Sequence, residues 1–250
     1  MPRRIRLGII VPSSNTALEP LTQQIVESLN TDPALDLFIT VHFARMRVTM
    51  IALSEDANAQ FALTPMLDAA RLLADAKVDV IGWSGTSTSW LGFATDNLLC
   101  SSIEEATGIP ATTAVRGMNL LLEKLPKDTV GLVTPYTHDV NKAIQENYSS
   151  IGISIADDRS RYAGLSDNIT FAELDEPTLD KMIMGIVANG AKTILVMCTN
   201  VRAAQRAKCW EQQNNIKVLD SVVTTVIGMM DILGLSTTST VAAEKWGAIF

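Results

Sequence analysis

The run Ala191-Lys192-Thr193-Ile194-Leu195-Val196-Met197-Cys198-Thr199-Asn200 decides how the rest of the chain is read. It is apolar and β-branched, alternates little, and stops at Cys-Thr-Asn before a helical pattern over residues 201–213. A run of that kind is a strand buried on both faces, as in parallel sheets. Ligands on such sheets bind outside the carboxyl ends of the strands, which is where Cys198, Thr199 and Asn200 fall. Cys198 is therefore a candidate catalytic thiol, against the alternative of a buried structural cysteine.

Working outward, the same alternation recurs along the whole chain. Apolar runs predict strands over residues 5–11, 37–43, 77–83, 111–113, 129–133, 153–156 and 217–219. Helical spacing of apolar residues predicts helices over 19–29, 59–76, 95–107, 115–125, 140–149, 178–188 and 222–233. Strands alternating with helices at this spacing make an α/β protein with parallel sheets. The order then repeats. Gly8-Ile9-Ile10-Val11-Pro12 matches Gly131-Leu132-Val133-Thr134-Pro135, and Val78-Asp79-Val80-Ile81 before Gly85-Thr86-Ser87 matches the opening stretch. Gly108-Ile109-Pro110-Ala111-Thr112-Thr113 matches Asn215-Ile216-Lys217-Val218-Leu219-Asp220, at offsets of about 107 to 123 residues. The expected fold is two pseudo-symmetric lobes, each a parallel sheet flanked by helices, with the active site in the cleft between them. Residues 1–117 would form the first lobe and 118–224 the second, with 225–250 packing back on the first.

Composition narrows the function. The chain has 250 residues, is 47% apolar and carries a net charge of -7, with Arg3, Arg4 and Arg6 as its single basic run. Without a Lys/Arg cluster to neutralise phosphates, no nucleic-acid partner is expected. No apolar stretch approaches the roughly 20 residues of a membrane span, so no membrane partner is expected either. Three widely spaced cysteines and the lack of a signal-peptide pattern point to a cytoplasmic protein without disulfides.

The predicted strand ends gather Pro12, Ser14 and Asn15; Gly85, Thr86 and Ser87; Pro135 and Tyr136; and Cys198, Thr199 and Asn200. These are neutral hydrogen-bond donors around one thiol. No His, Cys, Asp or Glu has metal-ligand spacing, so no metal site is assigned. The first strand end lacks G-x-G-x-x-G, so no dinucleotide cofactor is expected. Donors aimed at one spot suit a carboxylate, or the enediolate formed when its α-carbon becomes a carbanion. A thiol beside them delivers or removes the α-proton. Cys198 is expected to be the most reactive thiol, with Cys100 and Cys209 structural.

The chain resembles the aspartate/glutamate racemase superfamily, in its arylmalonate decarboxylase and maleate cis-trans isomerase branch. Pro12-Ser13-Ser14-Asn15, Arg45-Met46-Arg47, Pro135-Tyr136 and Asp167-Asn168 look like the maleate isomerases. Gly85-Thr86-Ser87 and Asp139-Val140-Asn141 look like the decarboxylases, and Cys198-Thr199 like the superfamily at large. Two-cysteine members carry a second thiol where this chain has Gly85. The resemblance implies a cofactor-independent decarboxylase of a substituted malonate-type dicarboxylic acid, with Cys198 protonating the enediolate. Pro12, Ser14, Asn15, Gly85, Thr86, Ser87, Tyr136, Asn168 and Thr199 would form the substrate site. The alternatives are a maleate-type cis-trans isomerase, an amino-acid or hydantoin-type racemase, and a non-catalytic dicarboxylate-binding protein. A homo-oligomer is left open.

Overall fold

In the computed structural model, which describes residues 2–250, apolar runs become strands and the polar segments between them turn. The first half runs β1 (Arg3–Pro12), α1 (Leu18–Asn30), β2 (Leu37–Met46), α2 (Glu55–Ala59), α3 (Leu63–Asp75), β3 (Val80–Trp83), α4 (Thr88–Leu91), α5 (Ala94–Thr107), β4 (Ala111–Thr113) and α6 (Ala114–Leu122). The second runs β5 (Val130–Thr134), α7 (His138–Ser150), β6 (Ser160–Tyr162), α8 (Glu176–Val187), β7 (Thr193–Val196), α9 (Ala207–Asn214), β8 (Lys217–Asp220), α10 (Ser221–Ile232) and α11 (Thr240–Trp246).

The strands make two four-stranded sheets, ordered β2-β1-β3-β4 and β6-β5-β7-β8, with every pair parallel. The identical order confirms the doubled α/β architecture expected from the sequence. The core strands are buried throughout: every residue of β3, β5 and β7 is inaccessible. Burial on both faces explains why these segments read as unbroken apolar runs.

The lobes are joined through α6 and α10. Residues Ser221 to Met230 of α10 are all buried. A Cβ on Gly117 would stand 2.1 Å from the Thr224 carbonyl oxygen. Only glycine allows the two backbones to pass this closely. Beyond α10 the chain returns to α1, where Trp246 Nε1 donates to Ser28 Oγ and Ser239 Oγ donates to the Asp32 carboxylate.

Three predicted elements differ. The helix expected over 59–76 begins only at Leu63; Glu55–Ala59 form a separate short helix before it, and between the two the Gln60 side chain folds back on the preceding chain. It accepts from Thr49 N–H and donates to the Met50 and Ala57 carbonyls. Pro65 then sits in the first turn of α3, where a missing N–H costs nothing. The strand expected over 153–156 is absent and the ladder to β5 begins at Ser160. Ile153 and Ile155 are buried, but the Ile155 carbonyl is taken by Gln145 Nε2 rather than by a strand. The helix expected from Val201 begins with irregular turns and becomes α-helical only at Ala207.

Candidate active site

Each sheet delivers its strand tips to one region. After β1, Asn15 Oδ1 accepts from the Ala17 and Leu18 N–H groups and so caps α1, whose first N–H groups have no helical partner. Its amide donates to Thr199 Oγ1 across the lobes at 3.1 Å. Arg45 donates to the Ser13 and Asn15 carbonyls and pairs with Glu19, fastening the loop.

The β3 and β7 tips are pseudo-equivalent, and each reaches into the other lobe. Thr199 Oγ1 donates to the Ser84 carbonyl, and Thr86 Oγ1 shares a 2.7 Å hydrogen bond with the Tyr136 hydroxyl. Asn200 is fully buried and spans three segments. Its Oδ1 accepts from the Thr16 and Ala17 N–H groups, while its Nδ2 donates to the Asn168 carbonyl. Asn168 Nδ2 in turn donates to Ser14 Oγ at 2.7 Å.

These contacts surround a cavity of about 20 Å³, room for one water. Pro12, Gly85, Thr86, Ser87, Tyr136, Asn168, Cys198 and Thr199 line it together with Val48, Ile51, Phe61, Trp83 and Trp90. No charged side chain is among them. Ser14 and Asn15 stand behind this wall, holding Asn168 and Thr199. A strap from the first lobe covers the cavity. Met50 bridges Asp167 antiparallel, Ile51 N–H donates to the Ser166 carbonyl and Asn168 N–H to the Thr49 carbonyl.

A model of the arylmalonate decarboxylase family matches residues 7–245. The chain belongs to the arylmalonate decarboxylase family. It lies in the aspartate/glutamate racemase superfamily, on the branch that also holds the maleate isomerases. A maleate isomerase of Pseudomonas putida is 24% identical over 245 residues, covering 94% of both chains. A maleate cis-trans isomerase of Nocardia farcinica superposes with a TM-score of 0.83 at 17% identity, over 95% of this chain and 96% of that one. That structure is of a cysteine-to-serine variant carrying a covalently bound succinylcysteine intermediate. A glycine-to-cysteine, cysteine-to-serine variant of arylmalonate decarboxylase superposes with a TM-score of 0.79 at 19% identity, over 98% of each chain. At such identities the superpositions speak for the fold alone.

Within this arylmalonate decarboxylase family fold, Cys198 is 3% exposed. Its sulfur accepts from the Asn200 N–H at 3.3 Å, and its own N–H donates to Ser221 Oγ. Burial pushes the Cys198 thiol up to about 12; the Asn200 N–H and the Tyr136 hydroxyl pull the other way, and the charge of Asp220 adds to the rise. Burial also holds the Tyr136 hydroxyl well above its ordinary range, Cys198 adding to the rise and Thr86 opposing it. Asp220 ends β8 with one carboxylate oxygen accepting from Val222 and Val223 N–H and the other unpartnered. Burial raises its carboxyl to about 7, against the lowering by those two N–H groups.

Burial works against the expectation that Cys198 is the most reactive thiol. A buried thiol lifted this far is a poor nucleophile at neutral pH but a retained proton source. Cys100 is also buried, and burial pushes its thiol up to about 11. Cys209 on α9 is the partly exposed one.

Sequence reasoning missed Val48 and Ile51, which come from the strap, and Phe61, which comes from the turn between α2 and α3; none carries a motif. It also passed over Asp220 and Trp83. Strand alternation contained a signal for Trp83, since residues two apart share a face and Trp83 precedes Gly85 by two.

Proposed function

We propose that the protein is a cofactor-independent decarboxylase of a 2-substituted malonate-type dicarboxylic acid, with Cys198 as the proton donor. One observation carries this reading: Gly85 stands at the strand tip equivalent to Cys198, leaving a single, protonated thiol among neutral donors. Decarboxylation needs no more than that. The bond between the α-carbon and one carboxylate breaks, CO₂ leaves, and the electron pair stays as an enediolate on the remaining carboxylate. Cys198 then gives its proton to the α-carbon, and the thiolate is reprotonated from solvent.

Thr86, Ser87, Tyr136, Asn168 and Thr199 supply donors for the retained carboxylate and its developing charge. Pro12 and Gly85 shape the walls, and Ser14 and Asn15 position Asn168 and Thr199. The cavity wall holds no cationic side chain, and its neutral donors strengthen as charge builds on the enediolate. A dicarboxylate exceeds the enclosed space, so Val48, Ile51 or Phe61 must move to admit it. That movement also accounts for exclusion of water once the strap has closed.

The second reading is a maleate-type isomerase, favoured by the Pseudomonas putida relative at 24% identity. Isomerisation through a succinylcysteine requires a thiol that adds to the double bond. In the Nocardia farcinica enzyme the adduct forms although one cysteine has been replaced, so a further cysteine adds there. In this chain Cys198 is the one cysteine in the cavity wall. The test is incubation of the protein in D₂O with an aryl(methyl)malonate and, separately, with maleate, followed by NMR. CO₂ release with one deuterium at the α-carbon, lost in Cys198→Ala, is the expected result. Fumarate from maleate supports the isomerase, α-exchange without CO₂ supports a racemase, and binding without turnover supports a dicarboxylate-binding protein.

A further inference from the structure

Gly85 does not lie in the left-handed region. Backbone conformation therefore does not explain the glycine. What does is Trp83: a Cβ built on Gly85 would stand 2.2 Å from Trp83 Cζ2 and 2.4 Å from Cε2. The two residues are two apart at the end of β3 and face the same cavity. The indole thus lies where the side chain of residue 85 would project. It is held there. Trp83 is fully buried, its Nε1 donates to Ser87 Oγ at 3.3 Å, and its ring meets Phe61 edge-on with centroids 6.5 Å apart.

The second lobe shows the alternative arrangement. In the matching strand β7 the residue equivalent to Trp83 is Val196, and two positions on, the chain carries Cys198. A small β-branched residue leaves room for a thiol at the tip, whereas the indole removes that room.

We propose that Trp83 is a specificity-determining residue whose indole occupies the place of a second acid–base side chain opposite Cys198, so that the α-carbon exchanges protons on the Cys198 side only. This rests on the reading of Cys198 as proton donor. The indole offers no exchangeable acid at that face, since its N–H is engaged by Ser87 and is not acidic near neutral pH. A prochiral acid decarboxylated here yields one enantiomer, and that product is not racemised.

The test compares wild type, Gly85→Cys, Trp83→Val and the double variant. Thermal unfolding reads the steric part, and loss of the α-proton of 2-phenylpropionate in D₂O reads the acid–base part. Gly85→Cys alone should lower the melting temperature by about 5–10 °C, as overpacking of a filled core does. Beside Trp83→Val the same replacement should cost less than half of that. Exchange should appear in the double variant at least a hundredfold above either single variant. An equal melting cost in both backgrounds, or exchange in Gly85→Cys matching the double variant, overturns the proposal. A double variant with the expected melting coupling but no exchange overturns its acid–base half. Gly85→Ala adds the Cβ alone, and repeats the melting comparison if a thiol-bearing variant does not fold. Melting coupling does not depend on turnover. A wild type that releases no CO₂ while the coupling holds therefore removes the decarboxylase reading and leaves the occlusion standing.

Discussion

Replacing Asn200 by alanine removes the side chain that ties three segments together, and the structure allows its cost to be worked out. Asn200 is fully buried. Its Oδ1 accepts from Thr16 N–H at 2.9 Å and Ala17 N–H at 3.1 Å, and its Nδ2 donates to the buried Asn168 carbonyl. The three lost bonds are not equal. Ala17 N–H keeps a second partner in Asn15 Oδ1. Thr16 is exposed and its N–H can turn to water. The Asn168 carbonyl heads a 3-10 turn and keeps that turn's N–H, but it loses a buried side-chain donor; at about 1 kcal/mol for an ordinary net bond, the three lost bonds come to about 3 kcal/mol at most. Asn200→Ala should therefore lose up to about 3 kcal/mol, which for a chain of this size is a fall of up to about 6–12 °C in melting temperature. Asn200→Asp keeps the acceptor for Thr16 and Ala17 but sets an anion against the Asn168 carbonyl, so it should be no better than alanine. Urea unfolding of wild type and both variants, fitted for free energy at constant slope, measures this. A loss under 1 kcal/mol for Asn200→Ala refutes the claim that this side chain joins the lobes.

Two further outcomes follow from the titrating groups. With limiting iodoacetamide at pH 8, Cys209 should be alkylated first with activity retained, Cys198 more slowly, through the opening that admits substrate, and the buried Cys100 only on unfolding; peptide mapping that finds Cys198 labelled first in the folded protein would reverse this order. Asp220→Asn keeps an oxygen for the Val222 and Val223 N–H groups but removes a carboxyl that folding raises from 3.8 to about 7. A raised carboxyl contributes most below its unfolded value, and that contribution is lost as pH climbs through the folded one. Wild type and Asp220→Asn should thus be nearly equal in urea stability at pH 4 and diverge by pH 8 in favour of the variant. Parallel pH profiles would show that Asp220 carries no such penalty.

Much of the architecture was legible because parallel strands buried on both faces must be apolar locally, whatever lies around them. That made β1, β3, β5 and β7 visible, and their matching order exposed the duplication. The tips were legible for the same reason: where an apolar run stops, the strand stops, and Gly85, Thr86, Ser87, Cys198 and Thr199 stand at such ends. Residues 153–156 misled because an apolar run reports burial and not ladder pairing, and Gln145 had claimed the Ile155 carbonyl.

Other features depend on contacts between residues far apart in the chain. Asn15 and Asn200 have the composition of substrate donors, yet each spends its side chain joining loops 183 or 184 positions away. Val48 and Ile51 reach the cavity on a strap clipped to residues 166–168, and Phe61 reaches it from the turn between α2 and α3. The thiol of Cys198 reads as reactive from its place at a strand tip, but its protonation is set by burial beneath the other lobe and by Tyr136 and Asp220. Sequence by itself determined the strands, their division between two parallel sheets and the ends at which chemistry gathers, since these follow from local runs of side chains. Only the tertiary structure decided which donors face the cavity, what fills the space beside Gly85 and how deeply Cys198 is buried. Hydrogen-bond partners, packing and desolvation arise only when the two lobes meet.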